Sequence, residues 1–184
     1  IVPIQQNKEG VLDKAYSLKE ELVKAGFRVR VDDSDKTPGF KFADGEVRGI
    51  PLRLEIGPKD IEKEQAVLVR RDTREKMVVS LSALSGEVKR ILETVQNEMY
   101  ARALAFQKER TTDAKTLDEL VASLDKKPGF VRAMWCGCRE CEDKLKEYSG
   151  ITSRCIPDKQ KTISDTCVVC GKKATKMVYW GRAY

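Results

Sequence analysis

The first 110 residues of the chain show two different periods of apolar side chains. Over residues 8–25 and 86–110 they recur every three to four positions, which predicts two amphipathic helices, the first ended by Gly26. Short apolar or alternating stretches, typical of strands, occupy five other places: 1–4, 27–31, 52–56, 65–71 and 77–81. Because the strands are interrupted by helices, this order predicts an α/β domain with a mixed five-stranded sheet and flanking helices.

Residues 111–184 continue with a second, smaller set of elements. Thr116 and Glu119 have the spacing of a capping box, in which each side chain accepts a hydrogen bond from the other residue's backbone N–H, so a helix is predicted to begin there. A strand, a short helix and a final strand follow at 130–135, 142–148 and 177–184. We therefore predict two domains, 1–110 and 111–184, and the second is a small α+β domain.

The strand predicted at 52–56 carries the most informative polar residues of the first domain. Its apolar side chains face the core, so Arg53 and Glu55 project from the opposite face. A Gly-Pro pair then ends the strand and begins a short helix, since proline has no N–H to leave unpaired in the first turn. We expect Arg53, Glu55, Lys59 and Asp60 to converge at the end of this strand, where α/β domains commonly bind ligands.

Hydrogen-bond donors and acceptors mixed in this way suit the edge of a nucleobase better than a bare phosphate, which needs only donors. A carboxylate can accept from the N1–H and amino groups of guanine, and an arginine or lysine can donate to its O6 and N7 atoms. The alternative interpretation is a solvated strand face whose charges pair with one another. The pattern alone leaves both interpretations open.

The composition restricts the class of protein. The 184 residues have a formal net charge of +6 and a pI near 9.0, which suits a nucleic-acid partner without requiring one. No stretch of 18 apolar residues, no signal peptide and no initiator Met is present, so we expect no membrane span and a soluble, cytoplasmic chain that begins within a longer protein. Histidine is absent, so a metal site must use cysteines or carboxylates.

All six cysteines follow Trp135. Cys167 and Cys170 form a CxxC followed by Gly and Lys, as in zinc knuckles, and a second pair, Cys136 with Cys141, can complete a tetrahedral zinc site. Four protein ligands leave no open position for a substrate, so this metal is expected to be structural. Disulfides are the competing interpretation, but nothing in the sequence suggests an oxidising compartment.

The choice of the four ligands stays open at this point. Cys138 can replace either member of the first pair. Cys155 has apolar neighbours, which predicts a buried free thiol. A redox role for the CxxC is disfavoured because no thioredoxin-like strand precedes it.

The residues Lys41-Phe42, Glu46 and the run 48–60, which reads RGIPLRLEIGPKD, resemble the anticodon-binding domain of prolyl-tRNA synthetase. The chain is similar to the archaeal and eukaryotic-type form of this class II aminoacyl-tRNA synthetase over essentially its whole length. The resemblance implies the class II anticodon-binding fold followed by a zinc-binding domain. It also implies that four residues read the two guanines that every proline anticodon contains: Glu46, Arg53, Lys59 and Asp60.

The same resemblance implies roles for residues of the second domain. It favours one set of zinc ligands: Cys136, Cys141, Cys167 and Cys170. It places the carboxylate of the terminal Tyr184 near the active site of the catalytic domain, as positional support rather than as chemistry.

The full-length enzyme implied by the resemblance ligates proline to tRNA(Pro) with ATP and Mg²⁺, and is typically a homodimer through its catalytic domain. This chain lacks the class II ATP-binding motif, so it is expected to be the C-terminal, tRNA-recognising part. Two alternatives of other classes are a non-catalytic RNA-binding module and a zinc-stabilised interaction domain that uses the 86–110 helix. Preference for guanine distinguishes the first interpretation from both alternatives.

Overall fold

The computed structural model describes residues 1–148 and 150–182, and the chain divides into two compact units, Ile1–Ala101 and a second that begins at Arg102. Among the described residues, no helix combines the length and the apolar composition needed to cross a membrane. Each unit contains a mixed sheet with helices beside it. The predicted α/β class is therefore confirmed.

The sheet of the first unit has the order β1-β2-β3-β4. Strand β1 runs parallel to β2, and the other neighbours are antiparallel. The strands are β1 (Val2–Pro3), β2 (Leu52–Ile56), β3 (Gln65–Arg70) and β4 (Lys76–Ser80). The helices are α1 (Val11–Lys24), α2 (Pro38–Val47), α3 (Pro58–Glu62) and, after a 3₁₀ turn at Leu81–Ala83, α4 (Leu84–Glu109).

The core of the first unit lies between the sheet and the helices α1 and α4. Leu18 and Leu22 of α1 and Ile91 of α4 are buried against Leu54 and Leu68 of the sheet. Both predicted helices are present, and the buried face predicted for α1 is confirmed. The buried face of α4 ends at Val95, whereas Met99 and Phe106 are exposed. Gly26 follows α1 with a left-handed φ of 91° that ends the helix.

The prediction that residues 27–31 form a fifth strand of this sheet is wrong, because this segment is not one of the strands in the described part of the chain. The segment is extended and lies beside β1, because the Asp32 amide donates to the Ile1 carbonyl oxygen at 2.9 Å, but it forms no ladder of paired residues. Its alternating pattern has another origin, since Phe27, Val29 and Val31 pack against the core from the edge of the sheet. An extended segment that buries every second side chain shows the same alternation of apolar and polar residues as a strand, even when it is not paired in a sheet.

The sheet of the second unit has the order β5-β6-β8-β7, in which β5 is parallel to β6 and the other neighbours are antiparallel. Its strands are β5 (Thr111–Asp113), β6 (Phe130–Trp135), β7 (Ile151–Cys155) and β8 (Lys176–Arg182), and its helices are α5 (Leu117–Lys126) and α6 (Arg139–Lys146). Trp180 is fully buried in the core with Leu120 and Leu145. The predicted capping box of α5 is confirmed, whereas β5 and β7 were not predicted.

Candidate nucleic-acid interface and metal centre

Arg53 on β2 is held by three neighbouring side chains. Its guanidinium carbon lies 3.9 Å from the centre of the Phe42 ring, a cation–π stack. Its Nε and Nη2 atoms each lie 2.9 Å from Oε1 of Glu55, and its Nη1 lies 3.7 Å from Oε1 of Glu46. The stack and the Glu55 carboxylate fix the plane of the guanidinium. The N–H groups on Nη1 make no short hydrogen bond in the described part of the chain, so they can donate to a ligand.

Helix α2 brings Phe42 and Glu46 to Arg53. The two residues are four positions apart, so they lie on one face of the helix. The helix is anchored by Lys41, which is buried and donates from Nζ to Gln6 Oε1 at 2.7 Å and to the Asp32 carbonyl oxygen at 2.9 Å. A buried ammonium group is tolerated only with such partners, so this pair of bonds fixes the position of α2.

The two carboxylates near Arg53, those of Glu46 and Glu55, also pair with exposed cations. Arg74 lies 3.5 Å from Glu46, and Lys76 lies 3.8 Å from Glu55. Pairs of this kind at the surface contribute little to stability, so a ligand can replace the cation at modest cost. Glu46 keeps about a third of its side chain exposed, whereas Arg53 is largely covered.

A small pocket of about 60 Å³, open to solvent, lies beside this cluster. Its polar lining combines donors and acceptors, including Arg30, Asp32, Glu46, Arg53 and Arg71, and its floor is apolar. A planar ligand with both kinds of hydrogen-bonding group on its edge matches such a lining better than a simple anion does.

Lys59 and Asp60 lie in α3, after the end of β2. Asp60 accepts hydrogen bonds from the Gly57 amide at 3.0 Å and from Gln65 Nε2 at 3.3 Å, so it also caps its own helix. Lys59 is exposed. No hydrogen bond or ion pair in the described residues joins these two side chains to Arg53, Glu46 or Glu55.

Of the residues expected to converge at the strand end, Arg53 and Glu55 contact each other, and neither forms a hydrogen bond or ion pair with Lys59 or Asp60 in the described part of the chain. The structure pairs Arg53 with Glu46 and Glu55, whereas Asp60 binds the Gly57 amide and Gln65. The reason is geometric, because Arg53 is the second residue of β2 and about 10 Å of extended strand separates it from the end of the strand.

In the second unit, four cysteine sulfurs lie within 4.8 Å of one another: Cys136, Cys141, Cys167 and Cys170. The Sγ atom of Cys136 lies 3.7 Å from that of Cys141 and 3.8 Å from that of Cys170. Four thiolates at about 2.3 Å from a tetrahedral zinc are about 3.8 Å apart, so the spacing fits this ion. The four cysteines can hold a metal ion.

Two tight loops place these sulfurs. Cys136 follows β6 and Cys141 lies in α6, separated by Gly137 with a left-handed φ of 89°. The second loop closes through the Cys167 amide, which donates to the Lys172 carbonyl oxygen at 2.7 Å, and through Gly171 with a φ of 69°. Both glycines occupy a backbone conformation that other residues rarely adopt.

The environment of the thiols differs within the cluster. Burial raises the pKa of Cys141. The Lys172 amide, which donates to the Cys170 sulfur, lowers the pKa of that thiol to about 7. A metal must therefore displace protons from the buried thiol, as is usual for thiolate sites.

The other two cysteines lie outside the cluster. The Cys138 thiol donates to the Glu140 carboxylate. The prediction that Cys155 is buried is wrong, because it lies exposed at the end of the edge strand β7, beyond an irregularity between Ser153 and Cys155. The terminal Tyr184 lies outside the described residues, so its predicted role stays a prediction.

Phe42 and Glu55 are the two neighbours of Arg53 that the four predicted recognition residues do not include. A sequence signal existed for Glu55, because residues two apart on a strand share a face. No local signal connects Phe42 with Arg53, since they lie on different elements and meet only through the packing of α2 beside β2.

The comparisons with known proteins cover both units of the chain. The anticodon binding domain family matches residues 1–91, and the family of prolyl-tRNA synthetase C-terminal domains matches residues 117–184. Over all 184 residues the chain is 56% identical to a proline–tRNA ligase of Clostridium botulinum (strain Loch Maree / Type A3) and 58% identical to one of Lachnoclostridium phytofermentans. It spans 38% of the length of these relatives. Residues 1–91 therefore belong to the anticodon binding domain family, and residues 117–184 belong to the family of prolyl-tRNA synthetase C-terminal domains.

Proposed function

We propose that the chain is the tRNA-recognising part of a proline–tRNA ligase, and that it reads the guanines of the proline anticodon. The observation that carries the proposal is the pairing of Arg53 with Glu46 at 3.7 Å beside the Phe42 ring. The identity to proline–tRNA ligases over the full chain supports it.

Two donor-acceptor combinations, Arg53 with Glu46 and Lys59 with Asp60, suit two adjacent bases. In each combination a cation can donate to O6 and N7 of a guanine, and a carboxylate can accept from its N1–H and amino groups. We assign Arg53 and Glu46 to one guanine and Lys59 and Asp60 to the other. Asp60 keeps lone pairs for a base while it caps α3, because a carboxylate offers about four acceptor positions.

We propose that zinc is bound by Cys136, Cys141, Cys167 and Cys170. The ion supplies a crosslink between α6 and the loop that precedes β8, and no catalytic step, because four thiolates fill its coordination sphere. Their sulfur spacing supports this assignment.

The remaining features belong to the whole protein. We propose that it ligates proline to tRNA(Pro) with ATP and Mg²⁺ bound in a catalytic domain, that it is a cytoplasmic homodimer, and that Tyr184 supports the active site. We also propose that the enzyme is of the archaeal and eukaryotic-type form, which a C-terminal cysteine-bearing module supports. For this chain, we propose a division into two domains, 1–110 and 111–184.

The test is the affinity of the 184-residue chain for a proline anticodon stem-loop, measured at fixed physiological salt with each central guanine changed in turn to adenine. We expect each change to lower the affinity. Arg53→Ala and Asp60→Ala should each remove about 1 to 3 kcal/mol of that discrimination.

Arg90→Ala is the matched control, because Arg90 is an exposed arginine of the same unit whose one ion pair among the described residues is with Glu87 on its own helix. It should leave the discrimination unchanged. Equal affinity of the native chain for every stem-loop would contradict the proposal. It would instead favour a non-catalytic RNA-binding module, or an interaction domain if no RNA is bound at all.

A further inference from the structure

The net positive charge of the chain is confined to its second unit. Residues 1–101 contain 18 Lys and Arg and 18 Asp and Glu, so they have no formal net charge, whereas residues 102–184 contain 17 and 11. Within the second unit, residues 102–148 nearly balance, with 10 cations and 9 anions. The excess lies in residues 150–182, which carry 7 cations and only 2 anions.

Most of these cations have no acidic partner. In this segment only Lys161 and Arg182 form ion pairs with described residues, to Asp113 and Asp125. The other five are exposed, and none forms an ion pair within the described part of the chain. Arg154 lies beside Gly181, toward the other end of β8. We call the remaining four the basic patch: Lys159, Lys172, Lys173 and Lys176.

The fold keeps much of the basic patch together. Three of its lysines lie within residues 172–176, a segment that spans at most about 14 Å. Gln160 accepts a hydrogen bond from the Met177 amide at 2.6 Å and donates to the Met177 carbonyl oxygen at 3.4 Å. These two hydrogen bonds attach Gln160 to the start of β8, which brings the neighbouring Lys159 beside the lysine segment.

The negative charge of the metal centre is too small to balance the positive charge of the second unit. Four thiolates and one Zn²⁺ have a net charge of −2. The second unit has a formal charge of +6 without the thiolates, so +4 remains after zinc is bound. An excess of unpaired, exposed cations is the electrostatic footprint of a polyanion partner.

We propose that the basic patch binds the phosphate backbone of RNA. The inference rests on the proposed function for the identity of the polyanion, and adds a second contact surface to it. The chemistry of the patch differs from that around Arg53, because it offers donors with no carboxylate between them. Lysine ammonium groups bind phosphate as point charges, so this surface contributes affinity and carries no base preference.

The experiment uses the zinc-loaded 184-residue chain and a transcript of proline tRNA, with the affinity measured at several salt concentrations. The variant carries Lys172→Gln, Lys173→Gln and Lys176→Gln together. We expect at least about a tenfold loss of affinity at low salt and a salt slope that falls by about 0.7 to 0.9 for each lost phosphate contact. The ratio of affinities for the native and the guanine-changed transcripts should stay the same.

Two further variants make the result specific. The corresponding triple substitution of these lysines by arginine keeps the charge and should keep the affinity. A control with Lys108→Gln, Lys115→Gln and Lys126→Gln removes the same charge from exposed positions of the same unit and should change the affinity less than about twofold.

The proposal is overturned if the glutamine variant keeps its affinity and salt slope, or if the control loses as much. Should the triple variant lose zinc, Lys176→Gln alone is compared with Lys126→Gln, and an unchanged slope for Lys176→Gln overturns the proposal equally. Failure of guanine reading is seen separately, because it alters the discrimination ratio and leaves the salt slope of the native chain intact.

Discussion

The two units of this chain use their charges in opposite ways. In the first unit, cations and anions are equal in number, and those around Arg53 are paired with one another within 4 Å. In the second unit, cations outnumber anions, and the lysines of the basic patch form no ion pair with any described residue. The overall charge of +6 therefore does not indicate which part of the chain can recognise a base. A base edge needs donors and acceptors together, whereas a phosphate backbone needs only donors.

Removal of the metal is expected to give the largest difference between the units. Chelation of zinc, or Cys141→Ser, should unfold the second unit, because structural zinc in small domains contributes free energy on the scale of about 10 kcal/mol and two of the cysteines are buried. Both tryptophans, Trp135 and Trp180, belong to this unit, so their fluorescence reports its unfolding alone.

The first unit should keep its helical circular dichroism and its own thermal transition under the same treatment. Cys155→Ser is the control, because this exposed cysteine lies outside the cluster. An unchanged tryptophan signal after complete removal of zinc would mean that the cluster does not stabilise the second unit.

A buried ion-pair network gives the corresponding test for the first unit. Arg70 is buried, donates to Asp72 from Nε at 3.1 Å and from Nη2 at 2.9 Å, and donates to Glu98 of α4 at 2.5 Å. These carboxylates raise the pKa of Arg70, with Asp72 as the largest cause. Arg70→Ala should lower the free energy of unfolding of the first unit by about 3 kcal/mol, because it removes the cation that pairs with the covered carboxylate of Asp72.

Urea unfolding followed by circular dichroism measures this loss, while tryptophan fluorescence should report an unchanged second unit. Arg90→Ala, which removes an exposed arginine of the same unit, should have little effect on the midpoint. Equal effects of the two substitutions would show that the Arg70 network is no more stabilising than a surface pair.

The smallest expected effect concerns the orientation of Arg53. Glu55→Gln removes the charge that holds Nε and Nη2, so the guanidinium should occupy more orientations. We expect about a threefold loss of guanine discrimination, less than Arg53→Ala causes. The salt slope of RNA binding should stay constant, because no phosphate contact is lost.

The measurement is the affinity for the same pair of native and guanine-changed stem-loops. Glu62→Gln, an exposed carboxylate on α3, gives the same change of charge away from Arg53. A similar loss in both variants would indicate a general effect of charge rather than the positioning of Arg53.

The sequence determined those features that depend on residues close together in the chain. The periods of α1 and α4, the capping box at Thr116 and the CxxC loop act within a few positions, so their structures could be predicted. Two cysteine pairs of suitable spacing also restricted the metal centre before any packing was known.

Only the tertiary structure decided which distant groups meet. The stack of Phe42 on Arg53 depends on where α2 packs, and the exposure of Cys155 depends on β7 being an edge strand. The separation of Arg53 from Lys59 and Asp60 along the axis of the strand depends on the length of β2. Local preferences set each element, but distances between elements follow from sheet order and core packing, which join residues far apart in the sequence.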